Sequence, residues 1–173
     1  MRVLDMCTGS GCILLSLLHY SNDCEGLGVD LSAEALEVAG RNVLKVLTPE
    51  KAEHVHFLQS DLFEKVEGKF EIIVSNPPYI ASAEVEKLMP EVRDHEPRMA
   101  LDGTEDGLHF YRRIIEEAGK HLVSSGMLFL EIGYDQGQAV SELMRTEGYC
   151  EVQVVQDYAG LDRVVLGTYC ERN

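Results

Sequence analysis

Short apolar runs alternating with helical stretches constrain the fold of this chain more than any other feature. The runs cover residues 2–6, 26–30, 55–59, 70–75, 127–132, 152–155 and 164–168. Residues 11–20 read as a buried helix by length and composition. Ser32 is placed to cap a second helix, whose stripe of Leu36, Ala39, Val43 and Leu47 stops before Pro49. In a third, Leu108, Tyr111, Ile115, Ala118 and Leu122 face one way, and Arg112, Arg113, Glu116, Glu117 and Lys120 the other. A fourth spans 138–146 and ends at Gly148. The order β-α-β-α-β-β-α-β-α-β-β predicts one α/β domain with a seven-stranded, mainly parallel sheet covered by helices on both faces. No helix separates the last two strands, so they should pair antiparallel. Residues 80–105 are polar, carry Pro90, Pro97 and Gly103, and read as a long binding loop.

Charge narrows the partners. Lys and Arg number 15 against 30 Asp and Glu, a net −15. A duplex binder needs several cations to neutralise phosphates, so direct nucleic-acid binding is not expected. No apolar run approaches the ~18 residues of a membrane span. Met1-Arg2-Val3-Leu4-Asp5 brings an acid before any apolar signal region can form, so a cytoplasmic protein is expected. Cys7, Cys12, Cys24, Cys150 and Cys170 form no C-x-x-C pair and are odd in number, which predicts reduced thiols rather than a zinc site or disulfides. No metal is expected.

The first strand runs into Asp5-Met6-Cys7-Thr8-Gly9-Ser10-Gly11. Open α/β sheets bind ligands at the carboxyl ends of their strands, and glycine there lets the backbone approach closely. Leu14 stands where a dinucleotide fingerprint needs its third glycine, and no phosphate-binding Gly-Lys-Ser/Thr loop follows. Asp30 closes the second strand about 20 residues after the last glycine, where an acid binds ribose hydroxyls. A carboxylate there favours an adenosine ligand with positive charge and no phosphate, a description that S-adenosylmethionine meets. Asp61 closes the third strand in the same manner, where it could accept from an adenine amino group.

Asn76-Pro77-Pro78-Tyr79 ends the fourth strand at the same sheet edge. The prolines lock φ and remove two donors. The Asn76 side-chain oxygen and the Pro77 carbonyl are then two rigidly held acceptors, suited to the two protons of an NH2 group, with the flat face of Tyr79 beside them. An amide nitrogen shares its lone pair with its carbonyl and is a poor nucleophile. Acceptors on its protons return density to nitrogen and align the lone pair with an electrophilic methyl. Proximity and alignment can reach roughly 7–11 kcal/mol.

Taken together, these residues resemble the HemK/PrmC family of protein-(glutamine-N5) methyltransferases. The resemblance runs from Val3-Leu4-Asp5 through Ser60-Asp61-Leu62-Phe63 and Asn76-Pro77-Pro78-Tyr79-Ile80. It continues through Glu96-Pro97-Arg98, Ala100-Leu101-Asp102-Gly103, Leu130-Glu131-Ile132-Gly133 and Gly160-Leu161-Asp162-Arg163-Val164-Val165. It implies a Rossmann-like class I S-adenosylmethionine-dependent methyltransferase that methylates the Gly-Gly-Gln glutamine of peptide-chain release factors, leaving S-adenosyl-L-homocysteine. By that resemblance Asp5, Cys7, Thr8, Gly9, Ser10, Gly11, Asp30, Leu31, Asp61, Leu62 and Asn76 would hold the cofactor. Asn76 and Pro77 would be catalytic, and Asn76, Pro77, Pro78, Tyr79, Glu96 and Arg98 would hold the substrate. Cys7 stands where the family usually has Gly. The family also carries a small helical domain before this unit, so residues 1–173 are expected to be the catalytic domain without it. Two other readings stay open: a nucleic-acid amino methyltransferase acting on adenine or cytosine, and a cofactor-binding fragment without activity of its own.

Overall fold

The computed structural model describes residues 1–170 other than Asp94 and Glu96. The elements run β1 (Arg2–Met6), α1 (Cys12–Tyr20), β2 (Glu25–Asp30), α2 (Ala33–Val46), α3 (Pro49–Ala52) and β3 (Val55–Gln59). A 3-10 turn (Leu62–Lys65) leads to β4 (Phe70–Ser75) and three short helices, α4 (Ser82–Val85), α5 (Pro90–Arg93) and α6 (Arg98–Leu101). Then come α7 (His109–His121), β5 (Leu122–Glu131), α8 (Gly137–Thr146), β6 (Tyr149–Gln156) and β7 (Asp162–Tyr169). The sheet order is β3-β2-β1-β4-β5-β7-β6. Strands β1 to β5 pair parallel, and β7 runs antiparallel to both β5 and β6, as expected.

Local chemistry explains the helices that position the site. Ser32 Oγ accepts the Ala35 N–H at 3.1 Å and starts α2 directly after β2. Helix α7 buries Tyr111, Ile114, Ile115 and Ala118 against the sheet. Each apolar side chain of that size contributes roughly 1.5–3 kcal/mol when buried. Tyr111 keeps its polar end satisfied by donating to the Glu131 carbonyl at 2.8 Å. One core packs Leu4, Met6, Ile73, Leu128 and Leu130 with α7, and a second packs Val3, Leu14, Leu15 and Leu18 with Val43.

Three expectations need correction. The stretch 80–105 is not a plain loop: it holds α4, α5 and α6, each four residues long. Elements that short show no apolar period. Strand β5 starts at Leu122, not 127, because Leu122 pairs with Phe70 before an irregularity resets the register at Ile72 and Met127. Cys150 and Cys170 are disulfide-bonded rather than reduced, with Cα atoms 6.0 Å apart. The cause is strand pairing: Tyr149 lies opposite Tyr169, so two cysteines distant in sequence become neighbours across β6 and β7. Cys7, Cys12 and Cys24 are free thiols.

Candidate active site

The chain reverses its direction of growth across the sheet between β1 and β4, and ligands of open α/β sheets bind at such a point. A cavity of about 410 Å3 lies there, at the carboxyl ends of β1 to β4. Cys7, Thr8, Gly9 and Ser10 line it after β1, Asp30, Leu31 and Ser32 after β2, Ser60, Asp61 and Leu62 after β3, and Asn76 and Pro78 after β4. The volume falls within the range of small-molecule sites. No Lys, Arg or His is among the described residues of its wall, whereas Asp30, Glu34 and Asp61 are. Such a wall attracts a cation and repels phosphate.

Asp30 is fixed by two backbone donors. Its Oδ2 accepts the Gly9 N–H at 2.8 Å and its Oδ1 the Ser32 N–H at 2.9 Å. Each oxygen keeps a second lone pair for a hydroxyl proton. Gly9 has φ +55, and a Cβ built on it meets nothing within 4 Å, so bare backbone faces open space. The loop is also tied to β2 by the Thr8 N–H on the Val29 carbonyl at 2.9 Å.

Asp5 lies beneath the loop rather than in the cavity wall. It is 1% exposed, with Oδ2 accepting from Thr8 Oγ1 at 2.6 Å and from the Leu14 N–H at 3.2 Å. Its Oδ1 is buried and unpartnered, and burial pushes the carboxyl up to about 7. Gly11 likewise supports the loop, at the N-cap of α1 with φ +78. Cys7 has φ +60, a conformation natural to glycine. Burial, and then the Asp30 carboxylate, push its thiol up to about 12.

Asp61 carries a finding that its position in the sequence did not suggest: Arg113 of α7 reaches its Oδ1 at 3.0 Å. One oxygen is thereby engaged while the residue lines the cavity. Glu34, Met99 and Phe110 also line the cavity and were missed. Met99 sits in a polar stretch and Phe110 lies off the apolar stripe of α7, so neither carried a periodic signal.

The Asn-Pro-Pro-Tyr corner divides between two spaces. Asn76 is exposed and lines the cavity with Pro78, while Pro77 is buried outside its wall. Tyr79 turns away, into a second cavity of about 630 Å3 with Gln136, Tyr134 and Arg163. This departs from the expectation that its ring flanks the same pocket as Asn76. Burial raises the Tyr79 phenol above its ordinary range, Glu131 adds to this, and Arg163 opposes it. Arg98 does not line the first cavity. It pairs with Glu86 at 2.6 Å and Asp102 at 3.4 Å and so braces α6, of which Met99 and Ala100, with the capping Pro97, do line it. Glu96, expected beside Arg98, lies outside the described residues.

Strand order and site geometry place the protein in the class I S-adenosylmethionine methyltransferase fold. A methyltransferase from Pyrococcus furiosus has the same fold: TM-score 0.69 at 19% identity, over 98% of this chain and 75% of that one. The chain belongs to the methyltransferase small domain family, whose model matches residues 1–92. It is 45% identical over 166 residues to a release factor glutamine methyltransferase of Thermodesulfovibrio yellowstonii, covering 95% of this chain and 58% of that protein. It thus spans little more than half the length of that relative. A solved release factor-specific protein-(glutamine-N5) methyltransferase from Alicyclobacillus acidocaldarius is 27% identical, with TM-score 0.55, over 99% of this chain and 81% of that one. Among the described residues no helix is long and apolar enough to cross a membrane.

Proposed function

We propose that residues 1–173 are the catalytic unit of a cytoplasmic enzyme that transfers a methyl group from S-adenosylmethionine to the side-chain amide nitrogen of the Gly-Gly-Gln glutamine of peptide-chain release factors. The observation that carries this reading is that Asn76 and Asp30 wall one cavity whose described lining residues include no Lys, Arg or His. The likeness to release factor glutamine methyltransferases supports the choice of substrate.

The residues present fit this cofactor. Asp30 offers acceptors for a ribose diol, Leu31 and Leu62 offer apolar surface for a purine, and bare backbone at Gly9 permits close approach. The acidic wall suits the ammonium and sulfonium charges. When bound, S-adenosylmethionine supplies an electrophilic methyl carbon on positively charged sulfur.

The chain's own part is to hold the acceptor nitrogen. The Asn76 side-chain oxygen and the Pro77 carbonyl take the two amide protons, which raises electron density on nitrogen and aims its lone pair at the methyl carbon. The N–C bond forms as the C–S bond breaks. The nitrogen then loses one proton to water, so no general base is needed before attack.

The test is transfer of labelled methyl from S-adenosylmethionine to a purified release factor. The reading expects label on the parent factor and none on a variant whose Gly-Gly-Gln glutamine is replaced by alanine. Equal labelling of the two would overturn it.

A further inference from the structure

The Asn76–Tyr79 corner is held at both ends. Upstream, Ser75 Oγ donates to the Met6 carbonyl at 2.6 Å in a buried position. Downstream, the Gln136 carboxamide acts as a four-way bridge, its Oε1 also reached by the Tyr111 hydroxyl at 3.5 Å. Its Nε2 donates to the Tyr79 carbonyl at 3.0 Å and to the Gly107 carbonyl at 3.4 Å. Its Oε1 accepts the Gly133 N–H at 2.9 Å. Gln136 caps the N-terminus of α8 in the turn after β5, and its orientation is set by a backbone bond from its own N–H to the Gly133 carbonyl at 3.0 Å.

Packing presses on the same point from the other side. A Cβ on Gly107 would collide with the Tyr79 carbonyl oxygen and come within 2.9 Å of Gln136 Nε2. A Cβ on Gly103 would stand 2.8 Å from Tyr79 Cα and 2.9 Å from the Pro78 carbonyl oxygen. The segment carrying these glycines is laced to the corner by Ile80 N–H to Leu101 carbonyl at 3.0 Å and Gly103 N–H to Ile80 carbonyl at 2.8 Å. Two consecutive prolines leave the corner few soft dihedrals. Fixing the Tyr79 carbonyl therefore fixes where Asn76 and Pro77 present their acceptors.

We infer that Gln136 is a positioning residue for methyl transfer, acting through the Tyr79 carbonyl on the Asn76–Pro77 acceptor pair. The inference rests on the function proposed above. Gln136 is absent from the wall of the cofactor cavity. Its loss should therefore act on the turnover step and leave cofactor binding in place. A misplacement of the order of 1 Å in reacting groups costs up to about 100-fold in rate.

Gln136→Glu separates this role from a general structural one. It keeps the acceptor for the Gly133 N–H and removes both donors. Gln136→Met is a second variant of similar length that places no carboxylate against two carbonyls. The measurement is methyl transfer to a purified release factor under saturating S-adenosylmethionine, together with calorimetric cofactor affinity and the melting midpoint.

The expected result is a fall in kcat of about 10- to 100-fold in a folded variant, with cofactor affinity changed less than about twofold. Retained kcat in a folded variant overturns the inference. So does weaker cofactor binding at unchanged kcat, which would place Gln136 in the service of the other cavity. Failure of both variants to fold also overturns it, since the residue would then be a structural tie. Absence of transfer by the parent protein instead refutes the release factor reading, and the positioning role falls with it.

Discussion

Asp30 Oδ2 accepts the Gly9 N–H at 2.8 Å, which locks the end of β2 to the loop that follows β1. The same carboxylate caps the turn into α2 through the Ser32 N–H at 2.9 Å. One side chain thus shapes the floor of the cavity and presents its acceptors to it. Asp30→Ala should weaken S-adenosylmethionine binding at least about tenfold, because hydrogen bonds to a charged group are worth about 1.5–3 kcal/mol each. Asp30→Asn, which can still accept one of the two N–H groups, should lose less. Calorimetry on the three proteins checks the order; equal affinities would contradict it.

Asn76 is exposed at the cavity, and exposed substitutions usually change stability by less than about 0.5 kcal/mol. Asn76→Ala should therefore melt with the parent. Its kcat toward a release factor should fall about 10- to 1,000-fold, by loss of a hydrogen bond aimed at the reacting group, while cofactor affinity changes little. A variant defective chiefly in cofactor binding would argue that Asn76 serves the cofactor instead.

What the sequence made legible follows from the range of the interactions involved. Strands β1, β3 and β4 match their apolar runs end to end, because a short apolar run bounded by turn residues needs only near neighbours to be seen. Ser32 announced α2 because a cap acts three residues away. Asp30, Asp61 and Asn76 were legible as strand-end residues, since the parallel sheet brings all strand ends to one edge. The side of the corner on which Tyr79 falls was not legible, because it depends on Gln136 and Arg163, far along the chain. The Arg113 contact with Asp61 was hidden for a similar reason: on its own helix Arg113 reads as a solvated face. The Cys150–Cys170 pair depends on the register of β6 and β7, which spacing alone does not encode.

Cys7 reverses a familiar ranking of substitutions. Its φ of +60 is left-handed, a conformation that costs a side-chain-bearing residue about 1 kcal/mol and glycine almost nothing. Cys7→Ala keeps that strain and loses the sulfur's packing. Cys7→Gly loses the packing and relieves the strain. The glycine variant should therefore be the more stable of the two by about 1 kcal/mol, the opposite of the usual preference for alanine. Denaturant unfolding of both checks this, and an alanine variant as stable as the glycine one would show that the loop relaxes out of the left-handed region.

Asp5 gives the fold a pH dependence opposite in sign to that of a salt-bridged carboxylate. Burial raises its folded value from 3.8 to about 7, with the Thr8 and Leu14 hydrogen bonds pulling the other way. Below about pH 4 the folded and unfolded states both carry the proton, and the neutral buried carboxyl imposes no charge penalty. Between about 4 and 7 the unfolded chain ionises first, so the folded state binds more protons and stability falls as pH rises. Above about 7 both are ionised and the loss is complete. A separation of this size corresponds to a loss on the order of 4 kcal/mol. Asp5→Asn cannot ionise, so its stability should gain on the parent's steadily from pH 4 to 7 and then run parallel to it. Denaturant unfolding of both proteins across that interval, read as the difference between them, isolates Asp5 from every other titrating group. Parallel curves throughout would mean that the carboxyl is not held in a dry site and that its orphaned Oδ1 is reached by water.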